Sequence, residues 1–264
     1  MSALAESASV LRKDEEGLVR LTLNRGERFN PLSSRMIEEL QAELDRLAKD
    51  TTVRVVVLCG AGKGFCAGHD LKELREHSSD KLWQRKMFDA CSRMMVSLTR
   101  LPQPVIARVH GIATAAGCQL VSMCDLAVAS EDAKFALPGA NIGVFCSTPA
   151  VGVARNIGRK RAMEMLLTGE PIDARTALEW SLVNRVVPAS RLDEEVERLC
   201  KAILSKSAAV TALGKQGFYR QIEQGLEGAY ATTGDIMACN LLMPDAAEGI
   251  DAFLQKRHPT WTSD

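Results

Sequence analysis

Along the first half of the chain, apolar positions fall into two rhythms. Residues 18–24, LVRLTLN, alternate apolar and polar after the turn signal DEEG. This predicts the second strand of a hairpin whose first strand holds Val10 and Leu11. After the loop RGERFNPLS, Met36, Ile37, Leu40, Leu44 and Leu47 recur at helical spacing, with Ser33 or Ser34 as the cap. VRVVVLCG at 53–60 is short, apolar and β-branched, as a strand buried on both faces must be. The loop AGKGFCAGHDL follows, with a helix beginning near Asp70. PVIARVHG at 104–111 is a second buried strand, leading through small residues into a helix from about 116. DLAVAS at 125–130 and AKFALP at 133–138 read as further short strands. Strand, small-residue turn and helix thus recur every 40 to 50 residues, which predicts an α/β fold: stacked turns of a wide spiral, or a βα-layered sheet.

Beyond residue 147 the rhythm becomes helical. Thr148 and Pro149 read as a cap and first helical position. Helical patterns follow at 149–157, 159–168, 174–182, 191–205, 208–225, 227–241 and 245–256, with Gly169 ending the second. LVNRVVP at 182–188 is the main strand signal in this part. The C-terminal third therefore packs on the core or on another subunit.

Composition narrows the class. The chain has 264 residues, 46% hydrophobic and 25% charged, with zero net charge. These values suit one large soluble domain, or one domain with an appendage, and disfavour a nucleic-acid or membrane-surface role. Eight cysteines at 59, 66, 91, 118, 124, 146, 200 and 239 form no CxxC pair, so zinc-knuckle and thioredoxin chemistry find no support. They read as reduced, buried thiols of a cytoplasmic protein, or of the mitochondrial matrix if a presequence has been removed. MSALAESASVLRK at the N-terminus lacks the apolar centre of a signal peptide, and no stretch approaches the roughly 20 apolar residues of a membrane span. No metal site is expected.

Two loops carry the candidate chemistry. GFCAGHDL at 64–71 and GIATAAGCQL at 111–120 share one order: strand, small residues, helix start. Small residues leave backbone N–H groups uncovered, and a helix start adds unpaired donors at the positive end of its dipole. Facing each other, two such loops make an oxyanion hole that polarises a carbonyl, each donor contributing about 3 kcal/mol in a dry site. The same small residues also suit tight helix–strand packing.

Those two loops, with LTLNRGERFNPLS, VRVVVLCGAGKGFCAGHDLKEL, PVIARVHGIATAAGCQLVSMCDLAVASEDAKFALP, RAMEMLLTGEPIDARTALEWSLVNRVVP and EGIDAFLQKRHPTW, resemble the enoyl-CoA hydratase/isomerase (crotonase) superfamily in order and over nearly the full length. FCAGHDLKEL and FCSTP are most similar to its enoyl-CoA hydratase domain-containing members. The resemblance implies a crotonase-type spiral of repeated β-β-α turns over 1–195 and a helical C-terminal trimerisation region over 196–264. It implies an acyl-CoA thioester as ligand, coenzyme A being part of the substrate and no other cofactor being needed. It also implies a homotrimer or a dimer of trimers. On this resemblance the thioester carbonyl is held by the N–H groups of His69 and of Ala116, just before Gly117. Ala67, Asp70 and Leu71 line the adenine and pantetheine path, Arg28 lies near the CoA phosphates, and Lys256 reaches the 3′-phosphate region. Arg28 and Lys256 also read as solvated charges, and Asp70 as a helix cap.

The chain departs from the family at its acids. Hydratases use two glutamates to activate water and supply the α-proton. Gln119 and Gly139 stand at those two positions. Glutamine orients water without taking its proton, and glycine offers backbone alone. Installing both acids, by Gln119→Glu with Gly139→Glu, is expected to raise hydration. Other residues offer substitutes. Asn141 is placed to hold a water, the His69 ring to move a proton, and Cys146 to act as a thiolate if the helix start lowers its pKa. Ser147 and Thr148 read as capping residues and His110 as a packed histidine. Glu131, Asp132 and Glu164 read as surface acids, and Asp125 as structural. The chain thus reads as an enzyme of the enoyl-CoA hydratase/isomerase class with non-standard catalytic residues. The alternatives are an inactive acyl-CoA binder or regulatory partner, and an RNA binder using the basic run KLWQRK at 81–86.

Overall fold

A computed structural model describes residues 8–262; the reading of the N-terminal stretch falls, for its first seven residues, outside the described residues. The expected hairpin is β1 (Val10–Glu15) and β2 (Leu18–Leu23), antiparallel with Val10 opposite Leu23. α1 (Ser34–Leu47) is capped by Ser33, whose hydroxyl accepts the Met36 N–H. It buries all five of the apolar positions that predicted it, each contributing roughly 2 kcal/mol. β3 (Val55–Gly60) leads to the short α2 (Leu71–Glu76) and the long α3 (Lys81–Arg100). β4 (Val105–Val109) is followed by β5 (Ile112–Thr114), α4 (Ala116–Met123), β6 (Leu126–Ser130) and β7 (Lys134–Ala136).

The second half contains α5 (Ser147–Asn156), α6 (Arg159–Thr168), β8 (Ile172–Asp173), α7 (Ala174–Glu179), β9 (Arg185–Val187), α8 (Leu192–Leu204), α9 (Ala208–Gln221), α10 (Leu226–Leu241) and α11 (Pro244–Gln255). α5 starts earlier than expected, with Cys146 rather than Thr148 at the cap. The Cys146 carbonyl already accepts the Ala150 N–H at 3.0 Å. Pro149 then falls within the first turn, where a missing N–H breaks no intrahelical bond.

A six-stranded sheet runs β1-β2-β3-β4-β6-β9, parallel from β2 onward, and a second sheet runs β5-β7-β8. β3 is buried on both faces as its composition requires. Val56 and Leu58 join the large core with α1, α3 and α4, while Val55 and Val57 meet Leu192 and Val196 of α8. The strands therefore have alternate faces filled by helices, and the loops at their ends are fixed between two packed layers.

α9 is tied to the core by a buried cation. Lys215 Nζ donates to Asp125 Oδ2 at 2.6 Å and to the carbonyls of Leu98 and Gln103 at 2.9 and 2.8 Å. Asp125 Oδ2 also accepts the Val105 N–H at 2.6 Å. α10 contains no buried residue, and Tyr230, Leu242, Phe253 and Leu254 of the C-terminal helices stand exposed. Among the described residues, no helix is long and apolar enough to cross a membrane.

Candidate active site

The two small-residue loops lie side by side. The Cys66 N–H donates to Ile112 O at 3.0 Å, the Thr114 N–H to Cys66 O at 2.9 Å, and Thr114 Oγ1 to Ala67 O at 3.0 Å. Only glycine lets them approach further. A Cβ on Gly68, whose φ is +94°, would stand 2.9 Å from the Ala115 Cβ and 3.3 Å from the Ala116 nitrogen. A Cβ on Gly117 would stand 2.1 Å from Cys66 O. Ala115 enters α4 at φ 49°, a strained value for a residue with a Cβ.

This packing consumes most backbone donors and leaves a few. The N–H groups of Ala67, Asp70, Thr114 and Ala115 donate to Phe29, Leu32, Cys66 and Ala136 carbonyls. The Gly68 N–H is directed at the Cys66 thiol. Among the described residues, the His69 N–H has no partner, nor do those of Ala116, Gly117 and Cys118, the first three residues of α4. The free donors thus sit on both loops, His69 on the first and three at the N-terminus of α4 on the second, where the dipole favours developing negative charge.

Asn30 is a member of this arrangement that the sequence reading passed over. It is buried at φ 53°, and its Nδ2 donates to the carbonyls of Ala61, Gly64 and Phe65 while its Oδ1 accepts the Arg25 N–H. It fixes the first loop from behind. The only signal in the sequence was an asparagine before a proline, which reads as an ordinary turn.

The side chains around the donors are neutral. Gln119 is buried in α4, and its Oε1 has no hydrogen-bond partner among the described residues. The His69 ring packs edge-on against Phe88 of α3, with centroids 5.3 Å apart. Burial pulls its pKa below the ordinary value, against smaller opposing effects of the Leu32 carbonyl and Glu73. Gly139 is buried, and a Cβ there would stand 2.1 Å from Val144 O and 2.8 Å from Cys146 Sγ. The chain returns on itself here, since the Val144 N–H donates to Gly139 O at 2.9 Å. The position therefore has no room for an acid, which corrects the expectation that Gly139→Glu could supply one.

Cys146 is corrected as well. Burial raises its thiol pKa, against a smaller opposing effect of the Gly139 backbone N–H. Cys66 and Cys118 are pushed up to about 12 by the same cause. The Asn141 side chain lies against Gly169 at the end of α6, within 3 Å of where a Cβ on that glycine would stand. Ser147 and Thr148 begin α5, and His110 Nε2 lies 2.9 Å from Gly62 O. Glu131, Asp132 and Glu164 are exposed. Asp125, read as structural, holds Lys215.

Arg28, Asp70 and Leu71 come together with Pro31 and Lys72 around a surface pocket of about 270 Å³. Asp70 is the cap of α2, its carboxylate accepting the Lys72 N–H at 3.0 Å. Lys256 ends α11 in a left-handed conformation and is not part of this pocket's wall. The basic run at 81–86 forms the exposed first turns of α3, where Arg85 pairs with Asp89.

The family model described as enoyl-CoA hydratase/isomerase matches residues 13–264. The enoyl-CoA hydratase domain-containing protein 3, mitochondrial, of Xenopus laevis is 45% identical over 262 residues, spanning 99% of this chain and 88% of the relative. The crystal structure of an enoyl-CoA hydratase from Mycobacterium smegmatis superposes with a TM-score of 0.95 at 54% identity, covering 97% of this chain and 99% of that one. Human enoyl coenzyme A hydratase domain-containing protein 3 gives a TM-score of 0.93 at 44% identity, covering 96% and 100% of the two chains.

Proposed function

The chain belongs to the enoyl-CoA hydratase/isomerase family and has the crotonase fold, and on that premise we propose that it binds an acyl-CoA thioester and polarises the thioester carbonyl between the N–H groups of His69 and Ala116. The observation that carries this reading is the pair of unpartnered donors on two loops locked together by Gly68 and Gly117. Negative charge on the thioester oxygen meets two fixed dipoles and the start of α4, and no solvent reorganisation is needed as it develops. Arg28, Ala67, Asp70 and Leu71 border the path of the CoA moiety, and Lys256 meets its phosphates. Coenzyme A enters as part of the substrate, and the reading requires no other cofactor.

The reaction class is that of a hydratase or isomerase working without the two glutamates. Gln119 orients a water or acyl oxygen and cannot ionise. Self-association into a trimer or a dimer of trimers is supported by the exposed Tyr230, Leu242, Phe253 and Leu254. A mitochondrial location accords with that of the Xenopus relative, which is named as a mitochondrial protein. A second reading, a binder that performs no turnover, is favoured by the closure of the chain over Gly139.

The test is spectroscopic. A conjugated dienoyl-CoA shifts its absorbance to longer wavelength when its carbonyl is polarised. The wild-type protein is expected to produce that shift. Ala116→Pro, which removes one donor at a helix position that tolerates proline, is expected to abolish most of it while the protein remains folded. An unshifted spectrum with wild-type protein overturns the reading.

A further inference from the structure

His69 presents more than its backbone. Its ring Nδ1 lies 3.3 Å from Leu32 O. A carbonyl only accepts, so Nδ1 carries the hydrogen and Nε2 the lone pair. Phe88 meets the ring at an interplanar angle of 87° and fixes its plane. Nε2 is enclosed by protein and has no hydrogen-bond partner among the described residues. The ring is thus held in one tautomer and one orientation with its basic nitrogen left free in the interior.

A buried, unpaired acceptor is unfavourable unless a ligand completes it. A second one accompanies it, the Oε1 of Gln119. Both belong to residues on the two loops that carry the free N–H groups. A ligand that satisfies two acceptors must bring hydrogens, as a water or a hydroxyl does. Gln119 and Gly139, where the resemblance implies carboxylates, carry none, and Gly139 has no space for one.

We propose that His69 is the proton-transferring residue of this site, its Nε2 taking a proton from a water oriented by Gln119 and returning it to the α-carbon of the thioester. This rests on the acyl-CoA reading given above. The step balances within the complex. The water O–H bond breaks and its proton goes to Nε2. The oxygen bonds to the β-carbon, and the displaced π pair becomes the enolate, held by the His69 and Ala116 N–H groups. The enolate pair then takes the proton from Nε2 to form the α-C–H bond. One imidazole serves as base and then as acid, in place of two carboxylates. Burial disfavours the protonated ring, so Nε2 keeps its lone pair free to accept a proton, as a weaker base than an exposed imidazole. Glu73 is the charged group that acts on the ring, and its carboxylate is already engaged by the Ser34 N–H at 2.8 Å.

The experiment compares wild type, His69→Gln and His69→Ala in three measurements: the dienoyl-CoA spectral shift, hydration of crotonyl-CoA, and α-proton exchange of butyryl-CoA in D₂O. Both variants keep the backbone N–H, so the spectral shift is expected to persist. Hydration and exchange are expected to fall by about 100-fold or more. The wild-type rate is expected to decline at acid pH as the imidazole protonates, and that limb is expected to vanish in residual variant activity. Undiminished hydration and exchange in a shifted His69→Gln complex overturn the proposal and leave the acyl-CoA reading intact. Wild-type protein that shifts the spectrum yet performs neither reaction overturns it in the same way. A missing shift in the wild type overturns the acyl-CoA reading itself. Should the variants fail to fold, the wild-type protein decides alone: a shifted dienoyl-CoA spectrum with neither hydration nor exchange overturns the proposal.

Discussion

The carbonyl oxygen of Cys66 occupies the space into which any side chain at Gly117 would project, 2.1 Å from the Cβ position. The start of α4 is thereby pressed onto the neighbouring loop. Gly117→Ala is expected to lower stability by about 1–3 kcal/mol through overpacking and to weaken the dienoyl-CoA shift. Urea unfolding and titration with the thioester check both effects.

Gln119 and Gly139, the two positions at which the resemblance places acids, are expected to respond differently. Gln119→Glu places a carboxylate in an existing side-chain site and should raise crotonyl-CoA hydration. Gly139→Glu meets the Val144 carbonyl and the Cys146 sulfur, so it should destabilise the fold and add no activity, alone or combined with Gln119→Glu. Steady-state hydration rates and melting temperatures of the three variants decide this.

Lys215 is held by three oxygens, with 5% of its side chain exposed and 16% of its partner Asp125. Lys215→Met takes the counter-cation from a buried carboxylate and is expected to cost about 3–5 kcal/mol. Chemical denaturation measures the loss. A change under 1 kcal/mol on the order of surface-pair values contradicts a buried role.

Glu248 accepts two hydrogen bonds from Arg257 and one from the Thr260 N–H, and its pKa is held down to about 2 from 4.5, chiefly by the Arg257 bond. A carboxylate depressed in the folded state stabilises above its unfolded pKa and loses that contribution as pH falls toward the folded value. The C-terminal segment is therefore expected to loosen between pH 4.5 and about 2. Trp261, whose Nε1 donates to Ser205 O at 2.9 Å, reports this by fluorescence in a Trp83→Phe, Trp180→Phe background. Glu248→Gln should remove the transition.

Cys146 is expected to alkylate more slowly than the exposed Cys239 at neutral pH, since burial raises its thiol and hides it from the reagent. Cys239 is exposed and serves as the internal reference. Mass spectrometry of partially labelled protein gives the order of reaction. Preferential labelling of Cys146 would restore the thiolate reading.

The spiral core was legible because its strongest elements state themselves locally. The repeat of Met36, Ile37, Leu40, Leu44 and Leu47 marked α1, while the sequence left Ser33 or Ser34 as its cap and the structure selects Ser33. α3 was missed. Its buried positions are Met87, Cys91, Met94, Met95 and Leu98, and its basic first turns masked the apolar face that begins further on. β5 was missed because three residues between glycines and alanines form a strand only when β7 lies beside them. The two donor loops were legible as small-residue helix starts. The closure over Gly139 was not, since it depends on the return of Val144. The Lys215–Asp125 pair was invisible for the same reason: its halves meet only in the finished fold.

That pair spans 90 positions of sequence, and the interval has a consequence in time. As the chain leaves the ribosome, the turn that bears Asp125 is complete long before α9 exists. Until Lys215 arrives, the carboxylate faces the Val105 amide alone, in a place that water is about to leave. A nascent chain halted ahead of α9 is left with an uncompensated anion at its centre. Burial of the turn that bears Asp125 is therefore completed only when α9 docks and brings Lys215 to it.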